Sequence, residues 1–164
     1  MYSAYNEMPG HSRIWIYPAS RTLTPEEVKA AEKHLTDFCN SWKAHGMPLK
    51  TSFTIAYNRF IILAADEKTA SASGCSIDSS VHVMQSVSKL LQVDLFDRTQ
   101  VPFLKNGEIV SYALRDLKGL FSKGELGSDD RTFHLLAATK EEWESKGVLS
   151  VAGSWLSRYV SEAV

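Results

Sequence analysis

The sequence predicts an α+β domain, 1–164, built as a two-layer sandwich of helices on a sheet. Apolar runs of strand length alternate with longer segments whose apolar residues recur at spacings of three and four. Through residue 105 these segments follow the order β-α-β-β-α-β, which is the order of a ferredoxin-like split βαβ fold. The C-terminal third adds further helix and strand as an α/β extension.

The first helix has the clearest signals. Residues 1–11 are polar, and we expect them to form a flexible arm before a strand at 13–17, which is apolar on both faces and therefore central. Thr24 then caps a helix, Pro25 suits its first position, and Glu27 completes a capping box. The apolar stripe of this helix consists of Val28, Ala31, Leu35, Phe38 and Trp42.

Two strands and a second helix follow. The strands at 51–57 and 60–65 are joined tightly at Asn58-Arg59. The second of them is apolar throughout, so we expect it in the centre of the sheet. A helix is predicted from about residue 76 to residue 92.

Turn signals divide the C-terminal third. Pro102 within the short strand 101–104 favours an edge position. Asn106-Gly107 predicts a hairpin turn, with 109–112 as the returning strand. The remaining elements are a helix around 114–121, a strand at 132–138, a short helix capped by Thr139 and ended by Gly147, and a last amphipathic turn near Trp155.

Composition argues against several classes of function. The formal net charge is −1, from 18 basic and 19 acidic side chains, which disfavours nucleic acid as a partner. The four tryptophans are spread over four elements, as in core packing rather than in a platform for bases. No apolar run approaches the roughly 20 residues that span a bilayer, and residues 1–11 do not resemble a secretory signal. We therefore expect a cytoplasmic protein without a cofactor, and a homodimer is left open.

The segment Ser73–Ser80, called the Cys75 segment below, concentrates polar side chains where the second helix begins. Helix N-termini carry unpaired N–H groups and a partial positive charge, which can bind an anion or activate a thiol. In a split βαβ order, the end of the third strand, the end of the first helix and the start of the first strand lie at the same edge of the domain. That edge would bring His45, and also His11 or Arg13, towards Cys75. The candidate catalytic residues are Cys75 and His45, and the candidate ligand-binding residues are Ser73, Gly74, Ser76, Asp78, Ser79, Ser80 and Arg13.

The same segment has a purely structural interpretation. Ser76 is a natural N-cap, and Asp78 in the first turn would raise the pKa of a neighbouring thiol and repel an anion. Val81 stands where a phosphatase-type loop needs arginine, and no window matches the P-loop pattern G-x-x-x-x-G-K-[ST]. Asp78 and His82 lack a third partner, so no metal site is predicted.

At Ser73-Gly74-Cys75-Ser76-Ile77-Asp78-Ser79-Ser80 the chain resembles a family of small, uncharacterised bacterial proteins. The resemblance extends through Trp42-Lys43-Ala44-His45-Gly46, Phe60-Ile61-Ile62-Leu63 and Ser154-Trp155. Members are often labelled ABC-transporter ATPases, a label that the missing P-loop does not support. The resemblance implies a cytoplasmic protein and carries over no catalytic residue.

Two functions stay open. The first is a non-catalytic binding or interaction module in which the Cys75 segment is structural. The second is a small enzyme or ligand-binding protein that uses Cys75 with a nearby histidine or arginine. We favour the first, because each polar candidate has an adequate structural explanation.

Overall fold

The computed structural model describes residues 1–44, 46–68 and 74–163. The chain divides into two compact units. Unit 1 comprises Met1–Phe96 and Ala137–Glu142, and unit 2 comprises Asp97–Leu136 and Trp143–Val164. Each unit combines an antiparallel sheet with helices, which confirms the α+β class and the two-layer arrangement. The C-terminal third, expected as an extension of one domain, thus supplies most of a unit with its own core.

Unit 1 is a three-stranded sheet with two helices on one face. The strand order is β1-β5-β4, and all neighbours are antiparallel. The helices bury residues such as Leu35 and Met84 against Leu63 of the central strand. In chain order the elements of unit 1 are β1 (Arg13–Pro18), α1 (Pro25–Ser41), β2 (Lys43–Ala44), β3 (Met47–Pro48), β4 (Lys50–Ala56), β5 (Phe60–Asp66) and α2 (Gly74–Leu91).

The start of α1 confirms the predicted capping box. The backbone N–H of Glu27 donates to Thr24 Oγ1 at 3.2 Å, and the Thr24 N–H donates to Glu27 Oε1 at 2.9 Å. Arg21 adds two hydrogen bonds of 2.7 Å to the same carboxylate. The helix start is therefore held by local groups that the sequence already displays.

The ferredoxin-like order is realised for three strands and not for the fourth. As predicted, β5 is central, and all but its last residue is buried. The strand β1, also expected to be central, lies at the edge of this sheet, because the strand at 101–104 that would complete the ferredoxin-like order joins the sheet of unit 2. The outer side of β1 pairs instead with a distant part of the chain. There the Ile14 N–H donates to the Ala138 carbonyl at 3.0 Å, and the Lys140 N–H donates to the Ser12 carbonyl at 2.9 Å.

Residues 1–11, expected to be a flexible arm, pack on unit 1. Tyr2 forms a parallel bridge with Thr51, and the Ser3 N–H donates to the Thr51 carbonyl at 2.8 Å. Met8 is buried, with 3% of its surface exposed. Backbone contacts with β4 and the burial of Met8 thus fix a segment that was expected to be flexible because of its polar composition.

Unit 2 is a four-stranded sheet of order β7-β6-β8-β9 with its own apolar core. Its turn at Asn106-Gly107 confirms the predicted hairpin, since both residues have positive φ, 53° and 79°. Its elements are β6 (Gln100–Lys105), β7 (Glu108–Ala113), α3 (Leu117–Ser122), β8 (Arg131–Phe133), α4 (Lys140–Lys146, which begins in unit 1), β9 (Val148–Ser150) and α5 (Ser157–Ala163).

The edge position expected from Pro102 is wrong, because β6 lies inside the sheet. Of the residues of β6, only Phe103 and Leu104 pair with the short strand β8. Pro102 itself lies opposite Ser111 of β7, and towards β8 its carbonyl accepts a hydrogen bond from Thr132 Oγ1 at 2.8 Å. An interior strand therefore tolerates a proline where its neighbour is too short to require the missing N–H.

Candidate functional site

The start of β1 and the end of β5 meet at one edge of unit 1, because the strands are antiparallel and Arg13 lies opposite Ala65. Four charged or titratable side chains gather there, and we call them the rim: His11, Arg13, Asp66 and Glu67. His11 Nε2 lies 3.0 Å from Asp66 Oδ1, and Arg13 Nη1 donates to Glu67 Oε1 at 3.2 Å. Each carboxylate of the rim therefore has its own basic partner.

Asp66 is the most enclosed group of the rim, with 16% of its side chain exposed. Burial acts to raise the pKa of its carboxyl, but the Lys68 N–H at 3.0 Å and His11 outweigh it and lower the pKa below the ordinary value. Asp66 is thus ionised at neutral pH. It suits the role of an acceptor that orients His11 better than that of a general acid.

Arg13 is held from two sides. Its guanidinium lies 4.8 Å from the centre of the Trp15 ring as well as against Glu67. Trp15 in turn packs on Trp42 with ring centres 5.5 Å apart. The cation–π contact and the ion pair together give Arg13 a defined position without a ligand.

The Cys75 segment follows the rim along the chain. Because α2 begins at Gly74, Cys75 and Ser76 belong to its first turn, and the helix begins two residues before the expected N-cap Ser76. Asp78 is the fifth residue of the helix rather than part of its first turn. This weakens the expectation that Asp78 opposes a thiolate or an anion at the helix start, because that expectation placed its carboxylate in the first turn.

The described side chains of this segment point in different directions. Asp78 and Ser79 are exposed, whereas Ser80 is buried and its Oγ donates to the Ile77 carbonyl at 2.6 Å. Ser80 is therefore turned into unit 1 and away from the two exposed side chains. The remaining candidates are only partly placed: His45 and Ser73 lie outside the described residues, and Gly74, Cys75 and Ser76 are described by their backbone alone.

Cys39 has the opposite character to an activated thiol. It is fully buried in the core of unit 1. Burial raises the pKa of its thiol to about 11. Cys39 is therefore chemically inert at neutral pH.

Two buried polar residues that meet through their backbones on the outer side of β1, Ser12 and Lys140, were not predicted from the sequence. The antiparallel bridge between Arg13 and Thr139 places Ser12 opposite Lys140, and both side chains are buried. Lys140 Nζ lies 5.3 Å from the centre of the Tyr5 ring. No local pattern signals this contact, since it joins segments more than 120 residues apart in the chain.

The four tryptophans, expected in cores, do not share one environment. Trp42 is buried and Trp15 half-buried, both with the core of unit 1. Trp155 in unit 2 is 50% exposed, with its ring against Tyr159 and the Arg158 guanidinium. The expected core position therefore holds for Trp42, holds partly for Trp15 and does not hold for Trp155.

Within 1–44, 46–68 and 74–163, no three His, Cys, Asp or Glu side chains are grouped so that they could hold a metal ion. In the same part of the chain, no helix combines the length and the apolar character that a membrane span requires. Comparisons with known protein families, with curated proteins and with solved structures find no match for this chain.

Proposed function

We propose that this chain is a non-catalytic binding module that works in the cytoplasm. The observation that carries the proposal is the pairing within the rim, where His11 meets Asp66 and Arg13 meets Glu67. Both carboxylates and both basic groups of the rim are engaged with one another, so the rim presents no unpaired charge to a substrate. The rim is therefore explained as a set of contacts that joins β1 to the end of β5.

Two further properties support the proposal. The balance of 18 basic and 19 acidic side chains favours a protein or small-molecule partner over nucleic acid. The free thiol of Cys39 suits a reducing compartment. Membership of the bacterial family suggested by the Cys75 segment belongs to this proposal and adds no catalytic residue.

A small enzyme that uses Cys75 is the second candidate, and one observation favours it. The rim places a histidine and an arginine at the end of β5, and the chain leads from there to the start of α2, where Cys75 lies in the first turn. A thiol at that position, close to His11 or Arg13, would have a lowered pKa and react as a thiolate.

The rate of thiol alkylation in the folded protein, measured against pH, distinguishes the two candidates. Cys39 is buried with a pKa of about 11, so any thiol that reacts between about pH 6 and 9 is Cys75. For a binding module we expect no reaction, or an apparent pKa at or above about 8.5. An apparent pKa below about 7 would overturn the proposal in favour of the enzyme.

Three variants make this assignment firm. Cys39→Ala should leave the pH profile unchanged, and Cys75→Ser should abolish the reaction. His11→Gln separates the candidates again, because it removes the imidazole that pairs with Asp66. It should leave the thiol pKa unchanged in a binding module and raise that pKa if the rim activates Cys75.

A further inference from the structure

An open cavity of about 340 Å³ lies in unit 2 beside the β6–β7 hairpin. This volume falls at the lower end of the roughly 300–1,000 Å³ that is typical of small-molecule sites. The lining consists of two basic, two acidic, one amide and one apolar side chain: Lys105, Arg131, Asp129, Asp130, Asn106 and Leu104. The charges of the lining therefore sum to zero.

Two of these charged side chains, Lys105 and Asp130, form an ion pair and bind to the backbone of unit 2. Lys105 Nζ lies 3.6 Å from Asp130 Oδ1 and also donates to the Glu125 carbonyl at 3.4 Å. Asp130 Oδ2 accepts the Gly127 N–H at 2.8 Å. Lys105 and Asp130 thus neutralise each other and hold the loop before β8 against the hairpin.

The other polar groups of the cavity are not engaged in this way. Within the described part of the chain, the Arg131 guanidinium, the Asp129 carboxylate and the Asn106 amide form no hydrogen bond or ion pair. The backbone of Arg131 is held in the sheet, where it lies opposite Leu104 on one side and Ser150 on the other. One cation, one anion and one amide, all on exposed residues, therefore line the same open cavity, and the cation is carried by a strand inside the sheet.

This set of groups discriminates between classes of ligand. A metal cation would meet Arg131 as well as the Lys105–Asp130 pair, and no group of three metal-ligating side chains is placed for it among the described residues. A phosphate would find Arg131 as a single uncompensated cation in the lining and would be repelled by the unpaired Asp129 carboxylate. A ligand that carries one carboxylate and one ammonium group matches the two unpaired charges.

We infer that this cavity binds a small zwitterion of the free α-amino acid class. Arg131 receives the carboxylate through its planar guanidinium, which suits two parallel hydrogen bonds. Asp129 receives the ammonium group, and Asn106 adds a donor and an acceptor. This inference deepens the proposed binding function and rests on it.

The test is a titration of the full chain, followed by amide chemical shifts, with L-alanine as the probe. Propionate and ethylammonium serve as matched probes that carry only the carboxylate or only the ammonium group. We expect saturable shift changes around Asn106 and Arg131 with L-alanine and none with the other two at equal concentrations. The absence of saturation with L-alanine, or an equal response to propionate, would overturn the inference.

Charge-removing variants locate the site. Arg131→Gln and Asp129→Asn should each raise the Kd for L-alanine about tenfold or more, since each removes hydrogen bonds to a charged group. Arg115→Gln and Asp116→Asn change the same charges at exposed positions outside the cavity and should leave the Kd unchanged. Binding that survives both cavity variants would refute the assignment. A low thiol pKa at Cys75 would refute the proposed function while leaving this titration unaffected.

Discussion

Removal of the Ser12 hydroxyl should stabilise the protein. Ser12 is fully buried, and within the described part of the chain its Oγ has no hydrogen-bond partner. The backbone of Ser12 is well held, since its N–H donates to the Pro9 carbonyl at 3.0 Å and its carbonyl accepts the Lys140 N–H at 2.9 Å. Alanine keeps both of these bonds and removes only the unpaired polar atom.

The magnitude follows from the cost of burying an unpaired hydroxyl, roughly 1–3 kcal/mol in mutational data. Alanine also loses the packing contacts of one oxygen atom, which offsets part of the gain. We therefore expect Ser12→Ala to raise the free energy of unfolding by about 1 kcal/mol. For a chain of this size, that corresponds to an increase in Tm of about 2–4 °C.

The assay is urea unfolding with the slope held common to all variants, supported by a thermal scan. Ser80→Ala is the matched control, because Ser80 is equally buried but its Oγ donates to the Ile77 carbonyl at 2.6 Å. This control should lose about 1 kcal/mol of stability. A loss of stability in Ser12→Ala as well would refute the reasoning, because it would mean that the Ser12 hydroxyl is satisfied by a partner.

Three other changes have definite expected outcomes. Thr24→Ala removes the N-cap of α1 and should lower the free energy of unfolding by about 1 kcal/mol, measured by urea unfolding. Hydrogen bonds from Arg21 and Thr24 lower the pKa of Glu27 to about 2. Its contribution to stability is therefore complete above the unfolded-state pKa of about 4.5 and is lost as the pH falls towards 2, so the stability of wild type and Glu27→Gln should converge on acidification. Gly147→Ala should disrupt the end of α4, because a Cβ there would lie 2.3 Å from the Trp143 carbonyl oxygen. A Gly147→Ala variant with unchanged Tm would contradict the close approach between these two residues.

Elements whose signals are local could be predicted from the sequence. The capping box at Thr24 and Glu27 and the turn at Asn106-Gly107 need only side chains and backbone within four residues. The central position of β5 followed from an unbroken apolar run, because only a strand covered on both faces can bury such a run.

The candidate site was predictable only in outline. That the start of β1 meets the end of β5 followed from the expected strand order, and the structure pairs Arg13 with Ala65 there. The particular pairing of His11 with Asp66 depends on the register of β1 against β5 and on the conformation of the turn after β5. Neither of these is indicated by a periodic pattern in the sequence. The inward orientation of Ser80 depends on where α2 begins, two residues before the expected start.

By itself the sequence determined the α+β class and most of the helices and hairpins, since each depends on short-range periodicity or on turn chemistry. Only the tertiary structure decided which strand β6 joins, what covers the outer side of β1 and which polar groups stay unpaired. These features depend on contacts between distant segments, such as the hydrogen bond from Lys140 to Ser12. Competing segments can offer similar backbone groups to the same strand edge, and the choice between them is made by the packing of the whole chain.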